Sequence, residues 1–245
     1  MTMLEADIAL QHVAWEAMAD DLPQRCKECL VRDHSLCASL SDSELGALSD
    51  IGRRRIVPKG AVVSWAGDDN ALCANVVTGA LKLLKTTADG REQAVGLLFA
   101  GDFVGQPFHD SNDLTAVALS DTDLCLYPRL AFERVLGDRP KLERALLERI
   151  MRSLNEARDR QLTLARKGAK ARLAGFLLDL PPADDADRID LRMSRSDIAD
   201  YLGLTIETVS RQFTELKAQK LIDGDRGGRT ITLLNRDALQ SIADD

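Results

Sequence analysis

Three of the five cysteines in this 245-residue chain fall within twelve positions, as Cys26, Cys29 and Cys37 in the pattern C-x2-C-x7-C. The two-residue gap lets a pair of thiolates reach one metal centre, and a third can close a face around it. A fourth cysteine, Cys125, lies far along the chain in DTDLCLYP. A loop plus one remote cysteine supplies four thiolates, the donor set of a cubane iron–sulfur cluster. The same four suit a zinc ion equally well, and spacing alone does not separate the two. A thiol–disulfide switch is the third chemistry open to them. Cys73, in LCANVV, reads instead as a small buried apolar residue inside a strand. His12, His34 and His109 show no i,i+3 or i,i+4 pairing and read as surface residues, although His34 falls between Cys29 and Cys37.

A second constellation lies in MSRSDIADYLGLTIETVSRQFTELKAQKLI. Ser194, with Asp197 three residues on, is spaced to cap a helix. Gly203 suits a tight inter-helix turn, small Ala199 permits a close crossing, and Thr205 caps a second helix. Ile198, Leu202, Leu204, Val209, Phe213 and Leu216 form the expected shared core. On the second helix Glu207, Ser210 and Arg211 stand at i, i+3 and i+4, so they project from one face near its N-terminal end, beside Thr205 and Thr208. That part of a recognition helix meets base edges in the major groove. Arginine pairs with guanine, glutamate accepts from cytosine N4, and serine reaches either. The plainer alternative is a surface Glu–Arg pair on an ordinary helix, which the surrounding helix–turn–helix frame disfavours. LIDGDRGGRTITLLN then reads as a hairpin with a Gly-Gly turn, a wing carrying Arg226 and Arg229 as candidate phosphate contacts.

The elements that must position these residues follow from the hydrophobic pattern. Residues 1–40 are a cysteine-bearing arm. Ser41 and Glu44 are spaced as a capping box opening a short helix. From about residue 53 to residue 128, β-prone aliphatic runs are punctuated by Gly60, Gly67, Gly79, Gly90, Gly101 and Gly105, which reads as a small β-barrel or jelly roll. A helical period then takes over. Leu147, Ile150, Leu154, Ala157, Gln161 and Leu164 follow a 3,4,3,4,3 spacing, an a/d seam suited to a dimer coiled coil rather than to packing on the helix's own domain. The expected division is therefore arm 1–40, β-roll 41–132, dimerisation helix 133–167 and winged helix–turn–helix 168–245, an α+β protein. Hydrophobic residues make up 45% of the chain and aromatics 4%, so the core must be aliphatic. A net charge of −7 excludes a uniformly basic surface, and nucleic-acid binding then depends on local charge. The opening MTMLEADIALQHVAWEAMADD mixes acids into every apolar stretch. It lacks the marks of a signal peptide or membrane span, which points to the cytoplasm. In that compartment cysteines serve more often as ligands or redox sensors than as structural disulfides.

The stretch LGLTIETVSRQF closely resembles the recognition region of FNR-type regulators of the CRP/FNR superfamily, in which E-x-x-S-R reads the TTGAT half-site. The likeness spans the arm, the β-roll, the long helix and the winged helix. It implies a cyclic-nucleotide-binding-like β-roll, a homodimer on a TTGAT-N4-ATCAA-like palindrome in double-stranded DNA, and base contacts from Glu207, Ser210 and Arg211. It also implies that Cys26, Cys29, Cys37 and Cys125 hold an oxygen-labile 4Fe-4S cluster. In the family, oxygen converts this to a 2Fe-2S form and the dimer leaves DNA, so control of anaerobic or microaerobic genes is expected. The turn at residues 86–91 (TTADGR), with Thr86, Asp89 and Arg91, corresponds to a turn that touches RNA polymerase in family members. Otherwise it is a plain hairpin turn.

Superfamily members that sense cyclic AMP carry a glutamate and an Arg–Ser pair. This chain has Gln106 in the first place and Leu114–Thr115 in the second. A buried phosphate would lack charge compensation, so no cyclic nucleotide is expected. An enzyme is not indicated either: no catalytic triad or paired carboxylate frame stands out, and GDFVG is turn chemistry rather than a phosphate loop. A regulator of the same fold signalled by zinc, by thiol chemistry or by no cofactor is the alternative.

Overall fold

The computed structural model describes residues 22–183, 185–225 and 229–245. Arg226 and His12 lie outside them. The arm is not structureless where it is described. A short helix α1 (Gln24–Lys27) leads through turns to a 3-10 turn at Leu36–Ser39, and Val31, Leu36 and Leu40 are buried. Helix α2 (Asp42–Ile51) opens with the capping box of Ser41 and Glu44, each side chain meeting the other residue's backbone N–H.

Eight strands follow: β1 (Arg53–Val57), β2 (Val62–Ser64), β3 (Leu72–Thr78), β4 (Ala80–Thr86), β5 (Glu92–Phe99), β6 (Phe103–Val104), β7 (Thr115–Ala118) and β8 (Thr122–Pro128). They form two four-stranded sheets, ordered β1-β8-β3-β6 and β2-β7-β4-β5, and neighbouring strands in both run antiparallel. This is a jelly-roll architecture. Between the sheets lies a core of Val57, Ala74, Val76, Leu81, Ala118 and Leu124. The turn from β3 to β4 needs a glycine. Gly79 has φ +94°, and a Cβ there would lie 2.6 Å from the Thr122 Cα.

The expected single helix over 133–167 is two helices. Helix α3 (Arg129–Asp138) ends at Arg139, and α4 (Pro140–Arg166) starts afresh. Pro140 explains the break, since it has no N–H to continue α3 and sits favourably at the first position of α4. Leu142 and Leu146 of α4 join Leu36, Leu40, Leu45, Leu48 and Tyr127 in a second core. Beyond them no residue of the helix is buried, although Arg149 and Arg160 bond to neighbouring elements.

Helix α5 (Ala169–Asp179) leads to strand β9 (Arg188–Asp190), then α6 (Arg195–Leu202) and α7 (Ile206–Ala218). A hairpin of β10 (Ile222–Gly224) and β11 (Thr230–Leu233) and a last helix α8 (Arg236–Asp244) complete the chain. The wing is three-stranded, β10-β11-β9. Ser194 and Asp197 form the second capping box, and Thr205 caps α7 by accepting from the Thr208 N–H. Gly203 makes the turn in the left-handed region, φ +62°. Ile198, Leu202, Val209, Phe213 and Leu216 are buried in one cluster, with Leu204 packed against it half-buried.

Candidate functional site

One pocket gathers the four cysteines of interest. Cys26, Cys29 and Cys37 from the arm and Cys125 from β8 line it together with Arg25, Arg32, Arg54, Asn75 and Tyr127. Strand register explains the β-sheet side. Cys125 pairs with Arg54 of β1 on one flank and with Asn75 of β3 on the other. Directly opposed residues share a face of the sheet, and Tyr127 follows Cys125 by two. This face turns away from the roll interior, where Val76 and Leu124 reside, and receives the arm.

The arm is attached through side chains. The backbone–backbone bonds formed by residues 22–40 close within the arm, such as His34 N–H to the Val31 carbonyl at 3.1 Å. Arg25 donates to the Ser49 carbonyl and, at 3.0 Å, to its hydroxyl. The Cys26 thiol lies 3.3 Å from the same hydroxyl. Arg54 pairs with Asp123 and Arg32 with Asp42. Asn75 Nδ2 is 3.2 Å from the Tyr127 hydroxyl and 3.7 Å from Cys37 Sγ.

Two thiols of this pocket, Cys37 and Cys125, are held in the protonated form by burial. Burial pushes Cys37 up to about 11, against the pull of hydrogen bonds from Ser35 and Tyr127. Burial also raises Cys125, opposed by the Tyr127 hydroxyl and by the charges of Arg54 and Arg25. Ligation of a metal centre would therefore release protons. Among the described residues no carboxylate lines the cavity, whose volume is about 30 Å³. The donor set of four thiols ringed by three guanidinium groups fits an anionic thiolate-ligated cluster better than it fits a cation held by acids. Seating a cubane in so small a void requires the side chains lining it to rearrange around it. Among the described residues no group of three or more His, Cys, Asp or Glu is arranged to share a single metal ion.

Cys73 is 1% exposed and packs in the core as expected, with burial holding its thiol up at about 12. His34 and His109 are exposed. Gln106 and Asp113 hydrogen-bond each other in both directions, at 3.0 and 2.9 Å, and Leu114–Thr115 stand beyond them. The turn over residues 86–91 is an exposed hairpin, with Asp89 bonded to Thr87 and Arg91.

At the other end of the molecule, Glu207, Ser210 and Arg211 are exposed on one face of α7, with Thr205 exposed and Thr208 half-buried beside them. The helix's first-turn N–H and the Thr205 hydroxyl hold the Glu207 carboxyl below the usual carboxylate range, so it stands ready as a charged acceptor. None of the ion pairs among the described residues joins Glu207 to Arg211. Arg229 is exposed at the start of β11, its N–H bonded to Asp225 at 2.9 Å. On α4 the residues Leu147, Ile150, Leu154 and Leu164 are 58, 52, 41 and 37% exposed, and Ala157 and Gln161 are exposed between them.

The arginines around the cysteines, together with Asn75 and Tyr127, are absent from the sequence reading. Alternation places Cys125 and Tyr127 on one face of a strand, but which residues lie opposite depends on register, and no local pattern carries that.

Residues 171–242 match the family model of a Crp-like helix-turn-helix domain, and residues 54–139 that of a cyclic nucleotide-binding domain. The nitrogen fixation regulation protein FixK of Bradyrhizobium diazoefficiens is 37% identical over 89% of this chain and 93% of its own. The transcriptional activator protein FnrL of Cereibacter sphaeroides is 37% identical over 81% of this chain and 84% of its own. The solved structure of FixK2 from Bradyrhizobium japonicum superposes with a TM-score of 0.73 at 35% identity, covering 78% of this chain and 97% of that one.

Proposed function

The chain belongs to the CRP/FNR family of transcription regulators, and from that premise we propose that it is an oxygen-responsive, FNR-type transcriptional activator in the cytoplasm. It acts without catalysis, as a homodimer on a TTGAT-N4-ATCAA-like palindrome. The observation that carries this reading is the convergence of Cys26, Cys29, Cys37 and Cys125 on one pocket lined also by Arg25, Arg32 and Arg54 and, among the described residues, by no carboxylate. Those four cysteines would hold a 4Fe-4S cluster, which supplies an oxidisable centre that oxygen destroys. Arg25, bonded to Ser49 and not to a carboxylate, would offset part of the negative charge of the thiolates, while Arg32 and Arg54 are shared with Asp42 and Asp123.

The residues that would pass the signal on are contiguous. Arm residues Leu36 and Leu40 share a core with Leu142 and Leu146 of α4. Arg149, one turn further, pairs with Asp102 of the β-roll and lies 3.5 Å from the His34 carbonyl. An arm fixed against β8 therefore braces the first turns of the helix that further along carries Leu147, Ile150, Leu154, Ala157, Gln161 and Leu164 on the adjoining stripe. Pairing of two such seams covers their exposed leucines. It also sets two recognition helices for successive major grooves. There Arg211, Glu207 and Ser210 read bases, Thr205 and Thr208 flank them, and Arg229 holds phosphate. The exposed hairpin carrying Thr86, Asp89 and Arg91 is the surface offered to RNA polymerase. Gln106 and Asp113 satisfy each other where a cyclic nucleotide would need a carboxylate, so no nucleotide signal is invoked.

The test is an absorbance spectrum of anaerobically purified protein with iron and sulfide counts, on wild type and Cys125→Ala. A band near ~420 nm that bleaches in air, with about four irons per chain, is expected of wild type, and its loss is expected in the variant. A colourless, iron-free wild type after anaerobic reconstitution overturns the cluster and leaves a DNA regulator with another signal.

A further inference from the structure

Asn75 and Tyr127 are each 2% exposed, and both turn their polar ends into the cysteine pocket. We propose, resting on the cluster reading above, that they are positioning residues of the sensor: a hydrogen-bond relay ending on the sulfurs of Cys37 and Cys125 that governs how readily the bound cluster is oxidised.

The direction of the relay follows from the donors. Asn75 Nδ2 has two hydrogens; it lies 3.2 Å from the Tyr127 oxygen and 3.7 Å from Cys37 Sγ. With the amide donating to the phenol oxygen, the single phenol proton is left for a sulfur, and the hydroxyl lines the same pocket as Cys37 and Cys125, with Cys125 two residues before Tyr127 on the same strand face. Thiolate ligands only accept, so every proton of the pair is aimed the way ligation requires. The other end of Asn75 shows what this arrangement costs. Its Oδ1 is buried with no partner, an uncommon condition that calls for a reason. An aliphatic residue would fill the position without that penalty. Pointing the NH2 group at the sulfurs is a sufficient reason.

The tyrosine is held in place from several directions. Its ring stacks on Phe132 at 5.5 Å, and Phe132 stacks on Phe103 at 5.3 Å. On the side of α2, Gly52 leaves room for it: a Cβ there would lie 3.1 Å from Tyr127 Cε1 and 3.4 Å from Cys125 Sγ. Hydrogen bonds to ligand sulfurs draw charge from them and raise the reduction potential of a cluster, which makes oxidation harder. Removing the donors therefore hastens oxidation by air.

The experiment uses full-length protein, reconstituted anaerobically, as wild type, Tyr127→Phe, Asn75→Val and Cys73→Ala. Iron content, reduction potential and the rate of bleaching in air are read for each, and melting of the iron-free forms reports folding. Tyr127→Phe keeps the stacked ring and deletes only the hydroxyl. Expected are a lower potential and bleaching faster by roughly three- to tenfold, at the modest end of outer-shell effects, for Tyr127→Phe and Asn75→Val. Cys73→Ala, which shares their face of the sheet (Cys73 pairs with Tyr127) but donates to neither sulfur, should behave as wild type. Failure of Tyr127→Phe to hold iron, with unchanged melting of its iron-free form, supports the relay more strongly still. Iron-replete Tyr127→Phe with wild-type potential and bleaching overturns the relay and leaves the cluster standing. Equal acceleration in Cys73→Ala also overturns it, because loosened packing then accounts for the change. A wild type that binds no iron overturns the relay and the cluster reading together.

Discussion

Glu207 and Arg211 stand four residues apart on α7 and yet do not pair, which is the residue-scale fact that matters most for recognition. An i,i+4 ion pair would offer each a partner without DNA. Here both are exposed and available to base edges. Arg211→Ala is expected to weaken specific binding by about 1–3 kcal/mol and to relax discrimination at one base pair, leaving non-specific binding nearly unchanged. Arg229→Ala should weaken all sequences alike and lower the salt slope of binding by about 1. Fluorescence anisotropy on the palindrome and on point-substituted duplexes, across a salt series, distinguishes the two. A uniform loss from Arg211→Ala would place that residue on phosphate instead of base.

Capping at the scale of single elements was legible in the sequence because it is local. Ser41 with Glu44, Ser194 with Asp197, and Thr205 at the head of α7 all cap as their spacing requires. Ser194→Ala should therefore cost about 1 kcal/mol in a denaturant titration, with binding at saturating protein unaltered. The strands with apolar alternation were legible for the same reason. Strand β1, RRRIV, was not among the runs that stood out, since four of its five residues are exposed on a sheet edge, and charge on an edge strand masks the pattern. Nor was the break at Pro140 read correctly, because the period of Leu142 and Leu146 continues across the seam while the backbone does not. The long helix makes its own prediction. Leu154 is exposed on α4 and contributes nothing to the monomer's core, so Leu154→Glu should leave circular dichroism unchanged. Light scattering is expected to show the dimer replaced by monomer, with loss of palindrome binding. A variant that remained dimeric at micromolar concentration would remove the seam from the mechanism.

Across the whole molecule, the DNA-reading domain and the β-roll share a core. Ala80 and Leu119 of the roll lie in one buried cluster with Leu173, Ile198, Phe213 and Ile231, with Leu97 and Phe99 packed against it. Lys82 of β4 bonds Asp197 of α6 at 2.6 Å, with both side chains mostly buried. The Gln93 side chain donates to the Asp200 carbonyl. Arg160 draws three elements together: from α4 its guanidinium donates to the Ala94, Val95 and Tyr201 carbonyls at 3.2, 3.1 and 3.0 Å. The same group lies 3.3 Å from the centroid of the Tyr201 ring. None of this is visible along the sequence, because Arg160 reads there as a charged residue on the solvent side of a helix. In the proposed dimer, contacts of this kind would set where α7 stands relative to the helix seam, and so the separation of two recognition helices on the proposed palindrome. Arg160→Ala leaves those carbonyls without their donor and removes the cation from the ring. The expected result is one calorimetric transition for wild type and two for the variant, with the winged helix melting first. Palindrome affinity should fall while light scattering still reports a dimer. A single transition at the wild-type temperature would mean that the shared apolar core alone couples the domains, and Arg160 would then have no part in setting the separation of the recognition helices.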